Sequence, residues 1–438
     1  MQTLHGLSRR ATWAPGEPIA SVLMAKTLAR PDLVSLAAGF VDSETLPIET
    51  TRLAAEAILS DPQKARLSLQ YGSTIGYLPL REAVLDRMLH SDGRTAGELN
   101  ISAEQVVIMP GSNQLLFLLG DVLMDPGDIV ICAAPSYFVY LGTLANLGVK
   151  AVGVETDDQG IIPQAVEEEL LRRKSAGELQ RVKAIYVTSY FDNPSGITMP
   201  MKRRAELVEL AKRWSHESKL YIIEDVAYRE LRYYGDDLPS LRSFDPEGDT
   251  VVQAGTFSKS YSPGIRVGWG LLPPALLTPV LAEKGNLDFG SPNFNQLLMS
   301  AVLELKLFDE HIRRVRDNYR EKLDAAVQAA DEFLAPLKGI RWVRPAGGLY
   351  VWLRLPEEID AGIEGPLFDK AVDQGVLYVP GEYCYPGEGV PVRKNTIRLS
   401  FGIQCRSSLR RGVESLARAI RKLHSLDQPS VGVRKGPR

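Results

Sequence analysis

The 438-residue sequence predicts an α/β protein, with a large domain on a mostly parallel sheet and a smaller α+β unit after it. Three observations point there. From residue 106 onward, short β-branched runs alternate with longer amphipathic ones. The runs are mostly separated by helix lengths, which suits crossover connections between parallel strands. Beyond residue 334 the pattern changes to short strand-like runs of a different style.

In chain order, the strand candidates of the large sheet are 106–109, 129–133, 151–154, 184–188, 220–223, 251–253 and 267–271. Helical spacing fills many of the gaps, for example at 114–124 and 202–215. A long helical stretch over 296–334 is expected to break near Phe308. Strands at 340–343, 349–355, 376–379 and 396–401 belong to the smaller unit, and a helix over 407–426 closes the chain. The expected division is an N-terminal arm at 1–50, a large domain at 51–305, a small domain at 306–426 and a frayed polar tail at 427–438. The arm is expected to pack on the small domain and over the functional site.

Bulk properties narrow the function classes. Lys plus Arg number 51 and Asp plus Glu 54, so the near-balanced charge argues against a nucleic-acid or anionic-membrane surface. Cys132, Cys384 and Cys405 are odd in number and far apart. They form no disulfide framework or zinc spacing, which makes a reducing cytoplasm the default and Cys132 a core residue. No apolar run approaches a membrane span. The stretch Ser8-Arg9-Arg10-Ala11-Thr12-Trp13 is faintly similar to a twin-arginine signal but lacks the following apolar segment, so it reads as an ordinary arm.

Ligands of open α/β sheets bind at the carboxyl ends of the strands, and the chemically suggestive residues fall there. Gly111-Ser112-Asn113-Gln114 follows the first strand and opens a helix, whose free N–H groups suit a phosphate; Ser112 as a plain N-cap is the bland alternative. Asp192-Asn193-Pro194-Ser195-Gly196 reads either as a turn or as a mount for an Asn193 amide. Asp225 ends the run Leu220-Tyr221-Ile222-Ile223-Glu224, as a functional carboxylate, a helix cap or a salt-bridge partner, with Tyr228 near enough to share its pocket. Thr256, Ser258, Lys259 and Arg266 form a dense polar cluster after an apolar run. The hydroxyls and the guanidinium suit a phosphate dianion. Lys259 is then either a further phosphate-binding charge or an amine held for Schiff-base chemistry. Arg398 sits within an apolar strand, where its charge needs a partner, from a substrate carboxylate or a structural ion pair.

Taken together, these residues resemble the fold-type I, pyridoxal-phosphate-dependent aminotransferases of class I/II, over most of the chain from about Val34. The 2-aminoadipate and kynurenine aminotransferase branch is the most similar. The cues are Gln70-Tyr71-Gly72, Ala134-Pro135-Ser136-Tyr137, Asp225-Val226-Ala227-Tyr228 and the run from Phe257 through Lys259 and Pro263 to Arg266. The resemblance implies pyridoxal 5'-phosphate as cofactor and an amino acid and a 2-oxo acid as substrates. It implies that Lys259 carries the Schiff base and shuttles the proton, and that Asp225 keeps the pyridine nitrogen protonated. Asn193 and Tyr228 would bond the ring's phenolic oxygen, and Tyr137 would stack on the ring. Ser112, Asn113, Ser258 and Arg266 would hold the phosphate, and Tyr71 would reach that of a neighbouring subunit in a homodimer. Arg398 would take the α-carboxylate, with Gly39 and Phe40 lining the substrate pocket.

The chain departs from the family pattern at two places. Asp192 and Ser195 replace the usual Gln and Thr of the Asn-Pro turn, and Asp192 adds a negative charge near the site. Val22 falls near the arginine that some relatives use for acidic side chains. These keep open a second reading on the same scaffold: a β/γ-lyase, a decarboxylase or a C–C bond-forming synthase. A third reading, a ligand sensor of a DNA-binding regulator, finds no basic helix-turn-helix pattern in the first fifty residues.

Overall fold

The computed structural model describes residues 6–13 and 16–426. The expected tail at 427–438, and residues 1–5 and 14–15 of the expected arm, lie outside the described residues.

A short strand, β1 (Val34–Ser35), precedes the main sheet. That sheet takes β2 (Val106–Met109), β3 (Ile129–Ala133), β4 (Lys150–Val154), β5 (Val182–Thr188), β6 (Tyr221–Asp225), β7 (Val251–Thr256) and β8 (Gly268–Leu271). The later strands are β9 (Arg341–Trp342), β10 (Tyr350–Arg354), β11 (Val376–Leu377), β12 (Val379–Pro380), β13 (Glu388–Gly389) and β14 (Thr396–Ser400). The eight-stranded main sheet runs β13-β4-β3-β5-β6-β7-β8-β2, and a four-stranded sheet runs β9-β10-β14-β12. Every residue of β2 and β6 is buried, as both-face coverage by helices requires.

β8 runs antiparallel to both β7 and β2, while the pairs from β4 through β7 are parallel. The link at 257–267 is shorter than the roughly dozen residues a parallel crossover needs, so β8 returns as a reversed strand. The carboxyl ends of β2, β5, β6 and β7 therefore share one edge. This is where the candidate residues fall.

Two details differ from the sequence expectation, while the break of the long helical stretch falls close to the expected Phe308. The long helical stretch divides into α5 and α6 of a helix set comprising α1 (Leu78–Asp92), α2 (Ser112–Leu123), α3 (Phe138–Asn146), α4 (Met201–Ser215), α5 (Asn293–Glu304), α6 (Leu307–Phe333) and α7 (Arg406–Leu426). The break falls at Lys306, whose backbone is left-handed at φ 57°, because Phe308 is needed in the core against Phe257. The run 376–379 divides at the buried Tyr378, so that β11 pairs with β1 and β12 with β14. The N-terminal segment is split in its attachments. β1 and the Leu36 carbonyl, which accepts from the Ser400 amide at 2.7 Å, join it to the smaller sheet. Arg10 instead pairs with Asp121 on α2, and Trp13 packs over Gly148 beside the large sheet.

Gly268 sets how closely α2 approaches the sheet. It pairs with Met109 on one side and Thr256 on the other. A Cβ there would lie 2.7 Å from Gly111 C and Ser112 N, both backbone atoms. Gly268→Ala is therefore expected to cost on the order of 1–3 kcal/mol in denaturant unfolding. Gly142→Ala, whose Cβ meets nothing within 4 Å on α3, should be neutral or mildly stabilising. Equal midpoints for the two variants would refute the packing constraint.

Candidate active site

The shared strand edge opens on a cavity of about 220 Å³. At one end lies the start of α2. Gly111, with φ 92°, is its N-cap, and Ser112 is the first helical residue rather than the cap. The first N–H groups of a helix have no intrahelical partner and carry the positive end of its dipole. Gly111 leaves the space that Arg266 fills: a Cβ would sit 2.6 Å from Nη2. That guanidinium donates from Nη2 to the Pro110 carbonyl at 3.0 Å and from Nη1 to Ser258 Oγ at 3.4 Å. Ser258 Oγ also accepts from Thr256 Oγ1 at 2.9 Å. A helix N-terminus, a hydroxyl and a guanidinium form a donor set for a phosphate.

Lys259 stands between the two ends of the cavity. Its Nζ donates to the Gly39 carbonyl at 2.9 Å, so a loop of the N-terminal segment holds the amine. At the far end is Asp225, which is 5% exposed. It pairs in register between Thr188 of β5 and Ala254 of β7. Asp225 Oδ2 accepts from the Tyr186 hydroxyl at 3.1 Å and Oδ1 from the Ala227 amide at 3.0 Å. Burial pushes its carboxyl up to about 6, against the opposing effect of these two bonds. No cation pairs with Asp225 among the described residues, so it is not a salt-bridge partner, and the segment after it is a turn rather than a helix that it could cap. It is a buried acceptor suited to a protonated ring nitrogen.

The remaining wall is a directed hydrogen-bond chain. Arg398 on β14 is 3% exposed and donates from Nη1 to Asn193 Oδ1 at 2.8 Å. Arginine only donates, so the Asn193 amide is oriented with Nδ2 towards the Tyr228 hydroxyl, 3.4 Å away. The Arg398 Nη2 donates to the Ala37 carbonyl at 3.0 Å, and its Nε has no partner although buried. Its guanidinium lies 4.3 Å from the Tyr350 ring centroid and 5.1 Å from that of Phe138. No carboxylate pairs with Arg398 among the described residues, which removes the structural ion-pair alternative. Tyr137, immediately before α3, completes the lining.

The structure thus brings Ser112, Asn113, Tyr137, Asn193, Asp225, Tyr228, Ser258, Lys259, Arg266 and Phe40 to one cavity. Gly39 and Arg398 sit directly behind it, through their bonds to Lys259 and Asn193. Tyr71 lies elsewhere: it is 79% exposed, with its ring edge-on to Phe289 at 5.3 Å. Asp192 is turned away, into a separate small cavity beside Thr156 and Ile197. Its Oδ2 accepts from the Ser195 amide and hydroxyl at 3.1 and 2.6 Å, and burial pushes its carboxyl up to about 6. The Asn193 turn is therefore both a turn and a mount, with Asp192 as its clamp. Val22 is partly buried against the core and brings no charge.

Sequence reasoning assigned no role to Tyr186, to Tyr350 of the family-like turn Gly347-Gly348-Leu349-Tyr350, or to the carbonyls of Ala37 and Gly39. The hydroxyl of Tyr186 inside an apolar strand was a usable signal. Backbone carbonyls carry none. Among the described residues no group of His, Cys, Asp and Glu is arranged to hold a metal ion.

Comparison with known proteins agrees with this geometry. Residues 31–416 match the family model for aminotransferase class I and II. The 2-aminoadipate transaminase of Thermus thermophilus is 35% identical over 92% of this chain and 93% of its own. The aromatic-amino-acid aminotransferase 1 of Thermococcus litoralis is 34% identical over 91% and 90%. The crystal structure of a Pyrococcus horikoshii kynurenine aminotransferase superposes with a TM-score of 0.86 at 32% identity, covering 95% of this chain and 97% of that one. These matches favour amino-group transfer over elimination, decarboxylation or C–C bond formation. The chain belongs to the class I and II aminotransferases, fold-type I enzymes that use pyridoxal 5'-phosphate to move an amino group from an amino acid to a 2-oxo acid.

Proposed function

We propose that the cavity is the transamination site, with Lys259 as the reacting amine and Arg398 as the anchor of the substrate α-carboxylate. One observation carries this reading: a single cavity sets an amine between an anion-binding helix start and a buried, unpaired carboxylate. Pyridoxal phosphate supplies an aldehyde that amines capture as a Schiff base and a protonated ring that takes up the electrons of a broken Cα–H bond. The Ser112 and Asn113 amides, Ser258 and Arg266 bind the phosphate. Asp225 would keep the ring nitrogen protonated, Asn193 and Tyr228 would bond the phenolic oxygen, and Tyr137 would pack against the ring. Lys259 Nζ, held at the Gly39 carbonyl, would be the group placed to accept the substrate Cα proton and to return it. Arg398, whose Nε is unsatisfied and whose charge has no protein anion, supplies what an α-carboxylate needs.

The substrate side chain is read as neutral, apolar or aromatic. The cations lining the cavity are Lys259 and Arg266, both already engaged by this reading, and Phe40 stands half-exposed at its edge. Val22 offers no clamp for a distal carboxylate. The working form is read as a homodimer, in which Tyr71 reaches the phosphate of the neighbouring site. The exposure of Tyr71, Leu69, Ile48 and Phe289 supports an interface there. Free Cys132, Cys384 and Cys405 suit the reducing cytoplasm. Residues 51–305 are read as the large cofactor domain and 306–426 as the small one, joined by most of segment 1–50. The β1–β11 pairing supports that join.

In borohydride trapping of the loaded enzyme followed by peptide mapping, the adduct is expected at Lys259 and absent in Lys259→Ala. An adduct on another lysine overturns the assignment. In a donor screen with a common oxo acid, aromatic and apolar amino acids should exceed glutamate and aminoadipate in kcat/KM by tenfold or more. The reverse order would refute the neutral side-chain subsite.

The Asp225 carboxyl yields a pH prediction. Its raised value means that the folded, cofactor-free chain favours the neutral form below about 6, and that ionising it costs stability as pH rises through that value. A ring cation relieves that cost only when the carboxylate is charged. Pyridoxal-phosphate affinity, measured by equilibrium dialysis, should therefore weaken as pH falls through about 6. Asp225→Asn should bind at least tenfold more weakly at pH 8 and show a flatter profile. A variant profile as steep as the wild type would place the titration elsewhere, for instance on the phosphate.

A further inference from the structure

We propose that Tyr350 is a positioning residue: its hydroxyl donates to the Tyr228 oxygen and thereby commits the Tyr228 proton to an acceptor inside the cavity. The proposal rests on the reading that Tyr228 bonds the cofactor's phenolic oxygen.

The argument is one of hydrogen-bond capacity. A phenol has one proton and two acceptor lone pairs. The Tyr228 oxygen lies 3.4 Å from Asn193 Nδ2, which Arg398 forces into the donor position. It also lies 3.2 Å from the Tyr350 hydroxyl, a contact in which either atom could donate. Tyr350 is 2% exposed, and among the described residues its hydroxyl has no hydrogen-bond partner other than Tyr228. A buried hydroxyl finds an acceptor, so Tyr350 is the donor. Both acceptor sites of Tyr228 are then filled from the protein side. Its own proton has only the cavity left, which its side chain lines.

Packing holds Tyr350 to this task. Its ring meets that of Tyr228 edge-on at 5.8 Å and lies 4.3 Å from the Arg398 guanidinium carbon. Its hydroxyl occupies the space beside Gly39, where a Cβ would come within 2.6 Å of it. Gly39 is also the residue whose carbonyl holds Lys259. One aromatic side chain thus joins the carboxylate anchor, the phenol and the loop that restrains the amine. A proton donated to an anionic ring oxygen withdraws electron density from the conjugated system, so a proton elsewhere on that system leaves at lower pH. Donors in series reinforce one another.

The test is a pH titration of the visible absorbance of enzyme loaded with pyridoxal phosphate, for wild type, Tyr350→Phe, Tyr228→Phe and the double variant. Tyr350→Phe keeps the ring and removes only the donor. It should raise the midpoint by about 0.5–1 pH unit, the size that one neutral hydrogen bond supports. Tyr228→Phe should raise it further, and the double variant should match Tyr228→Phe alone. Two results would overturn the proposal: a wild-type midpoint in Tyr350→Phe while Tyr228→Phe shifts, or an undiminished Tyr350→Phe shift in the Tyr228→Phe background. A wild-type midpoint in Tyr228→Phe itself would instead overturn the placement of Tyr228, and this proposal with it.

Discussion

Charge without a protein counter-charge is the condition around which this fold is arranged. Asp225 and Arg398 are both almost fully buried, and neither forms an ion pair among the described residues. Isolated buried charges are costly, and a chain selected for stability alone would pair them or replace them with apolar groups. Here each is held by neutral partners. Tyr186 and the Ala227 amide hold Asp225; Asn193, the Ala37 carbonyl and two aromatic rings hold Arg398. In the proposed reading, the unmet charge is available to a cofactor cation and a substrate anion. Stability forgone in the free chain is thereby returned on binding.

The sheet architecture makes that arrangement possible. Parallel strands aim their carboxyl ends at one edge, and the reversed β8 lets β2 join that edge with its helix start. Gly268 and Gly111 allow backbone and guanidinium to approach where a side chain would intervene. The end of the cavity at Gly111 and Arg266 is therefore built mostly from backbone geometry, and the end at Asp225 from side-chain burial. The two ends are rigid for different reasons.

The N-terminal segment connects the two sheets to the chemistry. Ala37 accepts from Arg398 of the smaller sheet, and Gly39 accepts from Lys259 in the turn that follows β7 of the large one. Leu36 bonds Ser400 two residues beyond Arg398. A displacement of this segment would be felt by Arg398 and Lys259 together, which in the proposed reading links substrate binding to the amine.

Much of this was legible in the sequence. Seven strand candidates coincide with β2 through β8 within a residue or three, because strands covered by helices on both faces are largely apolar. Lys259, Asp225, Asn193, Tyr228 and Arg266 stood out because polar residues at the ends of such runs have little structural reason to be there. The family resemblance then assigned their roles. What the sequence determined was the inventory: which strands, which polar residues at their ends, and which chemistry such a set supports. Only the tertiary structure decided direction and pairing. It reversed β8, turned Asp192 out of the site, left Tyr71 on the surface and set Tyr350 against Tyr228. The physical reason is that a hydrogen bond or an ion pair depends on distances between residues far apart in the chain. Residue identity limits what each group can donate or accept, but packing alone selects the partner.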